Sequence, residues 1–201
     1  MARTGRNYPK GLARREEILE VALRIVAERG YNAATIRELA EAVSLSKTGL
    51  LHHFGTKEEL FAEILRRRDQ RDIESVQSVG DARELLSQIL AHNADVPGLV
   101  QLYSRFSAEA SDPDHRAHEY FAERYERNRV DLATMVRALQ EEGHVTPAAD
   151  ADALGALLLA AMDGLQLQWL YDKSFDMRRS ISALMSALLE PRDAPEAEQG
   201  A

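Results

Sequence analysis

The sequence predicts an all-α fold. Apolar residues recur at three- and four-residue spacing along most of the chain, no stretch alternates with period two between hairpin turns, and capping signatures mark helix starts. In the first helix Ile18, Val21, Ala22, Ile25 and Val26 share one face, and Gly30 supplies the stop. A second helix begins after Thr35, where TIRE is a capping box: the Thr hydroxyl accepts from the backbone near Glu38, and the Glu38 carboxylate reaches back. It carries Ile36, Leu39, Ala40 and Val43 inward. SLS then breaks the pattern, Ser46 caps a short third helix from Lys47 to Phe54, and TKEE, residues 56–59, is a second capping box that opens a longer fourth helix.

Beyond residue 60 longer helices follow with short connections, broken at 78–81, 93–97, 111–114, 142–147 and 172–176, each rich in Gly, Pro, Asp or Ser. Pro113 after Asp112 and Pro147 after Thr146 fit a proline in a helix's first turn with its cap just before it. Residues 191–201, PRDAPEAEQGA, have little to bury and are expected to be a disordered tail.

Composition narrows the function classes. The chain has no cysteine, which excludes disulfides, thiol catalysis and Cys-type zinc sites. Its opening, MARTGRNYPKGLARR, has arginines but no apolar run, so no secretory signal is expected; the greasiest stretch, ALGALLLAAM, is interrupted by Asp163, so no membrane span is expected either. A cytoplasmic location follows. The net charge of −8 is unevenly spread: residues 1–60 carry ten Lys/Arg against eight Asp/Glu, a net of +2, which leaves −10 for residues 61–201. Arg3, Arg6, Lys10, Arg14 and Arg15 all precede the first acid, Glu16. Residues 1–13 therefore read as a basic flexible arm, 14–57 as a small nearly neutral domain, and 58–190 as a larger acidic one.

The stretch SLSKTGLLHHFGTKEEL sets polar and apolar residues side by side, as a helix with one face in a core and the other on a partner requires. Two short helices joined by a tight turn, the second with small and polar residues at its start, match a helix-turn-helix DNA reader. Leu45, Leu50 and Phe54 would face the core. Lys47 and Thr48 open the third helix, where side chains reach base edges or phosphates; Gly49 allows close approach to the groove; Thr35, Thr56 and Lys57 sit at helix N-termini suited to phosphate oxygens.

Over residues 14–60, ILEVALRIVAERGYNAATIRELAEAVSLSKTGLLHHFGTKEEL resembles the N-terminal pattern of the tetracycline-repressor-like family of transcriptional regulators. The resemblance implies about nine helices in all: three for DNA binding and six or so in a variable ligand-binding and dimerisation domain. It also implies a homodimer on double-stranded DNA with a palindromic operator, and repression relieved by a small-molecule effector. Ligand would act by tilting the fourth helix, 56–77, as the link between domains. Carried over by position, the DNA-binding set is Thr35, Ser46, Lys47, Thr48, Gly49, His52, His53 and Lys57. Two positions depart from the family pattern: Ser44 stands where the glycine of the turn is usual, and Leu51 where a phosphate-contacting tyrosine is usual. His52 or His53 would replace that contact.

In the larger domain Leu154, Leu157, Leu158, Ala161, Leu165, Ile181, Leu184, Met185 and Leu188 are more apolar than one side of a helix pair requires; some must serve the chain's own core, and all but Leu157 make up the expected dimer interface. Ligand-binding candidates are Tyr103, Phe106, Phe121, Tyr125, Met162, Gln166 and Trp169, apolar bodies with a few polar tips. Asp163 and Gln166 stand out as polar groups in the greasiest helix. Asp112, Asp114, His115, His118 and Glu119 have metal-compatible spacing, but a solvated helix start accounts for them better. No metal and no cofactor are expected.

Two other functions fit the sequence less well. A helical-bundle enzyme would need paired Glu-x-x-His motifs, a serine elbow or a phosphate loop, and none occurs. A helical protein-binding adaptor without DNA-binding activity would leave the basic arm and the helix caps without a purpose. The expectation is therefore a non-enzymatic, ligand-responsive DNA-binding repressor.

Overall fold

A computed structural model describes residues 8–30, 34–76 and 81–189. Among them are nine helices and no strand: α1 Tyr8–Arg29, α2 Ile36–Ala42, α3 Lys47–Phe54, α4 Lys57–Val76, α5 Ala82–Asp95, α6 Pro97–Glu109, α7 His118–Glu141, α8 Ala151–Tyr171 and α9 Met177–Leu188. The beginning of the basic arm, 1–7, and the expected tail, 191–201, lie outside the described residues. α1 starts at Tyr8, so it takes in the second half of the stretch assigned to the arm.

The chain divides into two compact units, Met1–Val79 with Ala91–Ala122, and Gly80–Leu90 with Glu123–Ala201. By this division α4 and α6 belong wholly to the first unit, and α5 and α7 contribute residues to each.

In the first unit the stripe of α1 is wider than expected: Ile18, Leu19, Ala22, Leu23, Ile25 and Val26 are buried, with Val21 half-buried. Leu39, Leu50, Leu60, Phe61 and Phe106 close the core, and Phe61 meets Phe106 edge to face with ring centroids 6.1 Å apart. α6 lies directly on α1. A Cβ at Gly98 would sit 1.9 Å from the carbonyl oxygen of Val26, so only glycine permits this approach. Pro97 occupies the first turn of α6 behind Val96, which makes no side-chain cap.

Neither Pro113 nor Pro147 opens a helix. Residues 111–117 form turns held by Asp112, whose carboxylate accepts from the Asp114 N–H at 2.9 Å, and α7 starts only at His118. Pro147 sits in a turn whose Thr146 and Ala149 carbonyls both accept from the Gln140 amide, at 3.0 and 2.9 Å, and Asp150 is the cap of α8. Local turn chemistry by Asp and Thr side chains outcompetes the proline signal at both places.

In the second unit α8 has two unlike faces. Gly155, Leu159, Met162, Gln166 and Trp169 are buried, and a Cβ on Gly155 would lie 2.7 Å from the backbone nitrogen of Ala133, so α7 and α8 touch backbone to backbone there. Ala153, Leu157, Ala160, Gly164, Leu167 and Tyr171 recur at alternating four- and three-residue steps along the other side, and all but the partly exposed Gly164 are exposed. By length and composition alone α8 is apolar enough to cross a membrane, Asp163 included, as a core helix also can be.

Candidate DNA-reading face

The turn between α2 and α3 is a Schellman motif. The Leu45 N–H donates to the Ala40 carbonyl at 2.8 Å and the Ser44 N–H to the Glu41 carbonyl at 3.1 Å, with Ser44 in the left-handed region at φ 56°. Ser44 is the described residue other than glycine that takes a positive φ. The substitution seen at this position in the sequence therefore leaves the turn's geometry unchanged and adds backbone strain.

Ser46 caps α3 by accepting from the Gly49 N–H at 3.0 Å. A Cβ on Gly49 would lie 3.2 Å from that Ser46 oxygen, so Gly49 protects the cap as well as thinning the helix. Leu50 and Phe54 point into the core while Lys47, Thr48 and His52 are exposed. Leu51 is half-buried beside them. Positions 47, 48, 51 and 52 form one helical face. Leu45, expected in the core, is only half-buried.

The two histidines separate here. His52 is exposed on the polar face, whereas His53 is half-buried, its ring 6.4 Å from that of Phe54, and its carbonyl accepts from Arg15 at 2.7 Å. Arg15 also lies 4.6 Å from the Phe54 ring centroid and 3.4 Å from Glu63, and Arg14 donates to the Val43 carbonyl. These two arginines thus hold the C-terminal ends of α2 and α3 onto α1, where a cation also complements the helix dipole. The sequence shows them only as bases that precede Glu16 at the start of the small domain, with no partner to name. The missed signal is spacing: Arg14 and Arg15 precede the buried Ile18 and Leu19 by four residues each, on the core-facing side of the same helix.

Both capping boxes form. The Thr56 N–H donates to Glu59 at 2.8 Å and the Glu59 N–H to the Thr56 hydroxyl at 3.2 Å. At α2 the Thr35 N–H and hydroxyl donate to Glu38 at 3.0 and 2.8 Å, and the Glu38 N–H donates to the Thr35 oxygen. Those bonds hold the Glu38 carboxyl below its usual range. Thr35 is exposed, but its donors are committed to a carboxylate that a phosphate would have to displace. Lys57 is exposed, with its ammonium 5.3 Å from the Phe61 ring centroid.

The ligand candidates do not form one group. Tyr103, Phe106 and Phe121 are core residues of the first unit, with ring centroids 5.8 to 6.0 Å apart between Phe121 and the other two. Tyr125, Met162, Gln166 and Trp169 belong to the second. There the Tyr125 hydroxyl donates to Asp163 at 3.1 Å, and the Gln166 amide donates to the Met162 carbonyl at 3.3 Å. The side-chain oxygen of Gln166 is buried with no partner. The dimer candidates also divide: Leu158, Ile181 and Met185 are buried within the chain, so they serve its own core, while Leu154, Ala161, Leu165, Leu184 and Leu188 are partly exposed. The His115 and His118 rings bond to the Ala117 N–H and the Ala110 carbonyl, and no metal-holding group of three occurs among the described residues.

A polar face on a short helix, braced behind a Schellman turn at the N-terminal end of an all-helical chain, defines the helix-turn-helix class of DNA-binding regulators. Residues 18–64 match the family of bacterial regulatory proteins described as the tetR family, and residues 80–191 match the C-terminal part of the BetI-type transcriptional repressors. The HTH-type transcriptional repressor AcnR of Corynebacterium diphtheriae is 34% identical over 154 residues, covering 75% of this chain and 78% of its own. The repressor KstR2 of Rhodococcus jostii is 36% identical over 104 residues, 52% of this chain and 46% of its own. A regulator from Saccharomonospora viridis solved in complex with choline superposes with a TM-score of 0.67 at 26% identity, over 88% of this chain and 98% of that one. The chain belongs to the tetR family of transcriptional regulators.

Proposed function

We propose that this chain is a cytoplasmic homodimeric repressor that reads a palindromic operator with α3 and releases it when a small molecule binds. The face of Lys47, Thr48 and His52, exposed over a core of Leu50 and Phe54, carries this reading. One such helix makes few contacts, and two set about 34 Å apart reach successive major grooves. Gly49, Ser46 and Lys57 support the approach to the backbone, and of the two histidines His52 takes the direct contact.

The dimer contact assigned here is the exposed stripe of α8, with Leu157, Leu167 and Tyr171 around the small residues Ala160 and Gly164. It replaces the buried part of the sequence-derived set. A period of three and four with small central residues suits close antiparallel or crossed packing against a second copy. Gln166 marks the effector site of the second unit, because a buried carbonyl oxygen without a donor is the group a ligand hydroxyl or ammonium satisfies. Choline is the first compound to try, since a neighbour of the same fold carries it.

Introducing Leu157→Glu with Leu167→Glu tests the dimer. Sedimentation should show monomers whose affinity for operator DNA is at least a hundredfold lower. Dimers with undiminished affinity would place the contact on another face.

A further inference from the structure

A groove of about 350 Å³ in the second unit is lined by Arg83, Glu84 and Ser87 of α5, by Arg178, Arg179 and Ser182 of α9, and by Asp176, the cap of α9. The groove is far from the α3 face in sequence and uses none of the effector candidates. Both carboxylates are committed: Glu84 accepts from the Gln88 amide at 2.9 Å, and Asp176 accepts from the Arg179 N–H at 2.9 Å as the cap of α9. Arg83, Arg178 and Arg179 have no carboxylate within ion-pair distance among the described residues, although acids outnumber bases in the chain, 33 to 25. Elsewhere in the same unit arginines do find carboxylates, as Arg129 does with Glu126 at 2.5 Å and Arg137 with Asp152 at 2.6 Å.

Two further features mark the groove as more than a charged surface. The Arg83 Nε is buried without a hydrogen-bond acceptor, which leaves a cationic donor desolvated and unmatched. Arg178 reaches from α9 to α5, where its Nε donates to the oxygen of the buried Ser87 at 3.3 Å, and this fixes the guanidinium at the groove wall. Three guanidinium groups lining one groove, one of them fixed by Ser87, suit the oxygens of a phosphoryl or carboxylate group.

We propose that this groove binds a small oxyanion, a phosphoryl or carboxylate group, held by Arg83, Arg178 and Arg179 with hydroxyl support from Ser87 and Ser182. The bound anion supplies the acceptor that Arg83 lacks and ties the start of α9 to α5. Calorimetric titration of the full-length protein with inorganic phosphate and, separately, succinate tests this at constant ionic strength, where general screening is held fixed. Saturable binding of either probe is expected at millimolar concentration, phosphate alone pointing to a phosphoryl ligand and succinate alone to a carboxylate. Arg83→Gln with Arg178→Gln should weaken that binding at least tenfold, while Lys47→Ala on the α3 face leaves it unchanged. Should the double variant lose its circular dichroism, the exposed Arg179→Gln serves in its place, with a several-fold loss expected. Absence of saturable binding by both probes, or binding that survives the arginine substitutions, overturns the proposal.

Discussion

Ser44→Gly should make the protein more stable. Ser44 holds φ at 56° to complete the Schellman turn, and both hydrogen bonds of that turn are backbone to backbone, so they survive the substitution. A side chain in the left-handed region costs roughly 1–2 kcal/mol, and the extra freedom of glycine in the unfolded chain costs roughly 0.5–1 kcal/mol in return. The net gain is about 0.5–1 kcal/mol, or roughly 1–4 °C in Tm for a chain of this size. Ser44→Val should move the other way by about 1–2 kcal/mol, because a β-branched residue tolerates positive φ least. Urea melts at one fixed protein concentration read both, since the midpoint moves with stability and dimers shift with concentration. A glycine variant no more stable than the wild type, together with a valine variant no less stable, would refute the strained-turn account.

Arg15→Met should destabilise the first unit by about 2 kcal/mol, because a charged donor to the His53 carbonyl is worth roughly 1.5–3 kcal/mol and its stacking on Phe54 adds to it; chemical denaturation checks this, and an unchanged midpoint contradicts the bracing role. The Glu38 carboxyl is held below its usual range by its bonds to Thr35, so its contribution is present above the unfolded carboxylate range and disappears as pH falls through the folded value. Melts of wild type and Glu38→Gln across acidic pH should therefore differ near neutrality and converge in acid; a difference that grows in acid contradicts the capping geometry.

The parts of this molecule governed by local chemistry were legible in the sequence. Thr35–Glu38 and Thr56–Glu59 form the capping boxes their spacing announces, and Ser46 caps α3 as read, because each bond joins residues three apart. Long-range geometry was not. Arg14 and Arg15 find carbonyls 29 and 38 residues away, and nothing near them in sequence reveals those acceptors. The same holds for Gly98 against Val26 and Gly155 against Ala133, where a glycine reports a backbone contact only once its neighbour is known. In α8 the apolar residues are dense enough on all sides that periodicity could not separate Leu158, which is buried, from Leu157, which is 63% exposed. That is why the expected dimer set mixed core with surface.

Selection of bound duplexes from a random library, followed by titration of the selected site at several salt concentrations, tests the central claim most directly. The account predicts a palindromic site with half-sites about one helical turn apart and an affinity that falls steeply with salt, by about 0.9 in log–log slope per phosphate neutralised. Lys47→Ala should weaken binding and make the slope shallower by about two, one contact from each copy. Enrichment of no sequence with or without candidate effectors, or a salt slope that Lys47→Ala leaves untouched, would contradict the assignment of α3 as the DNA-reading helix.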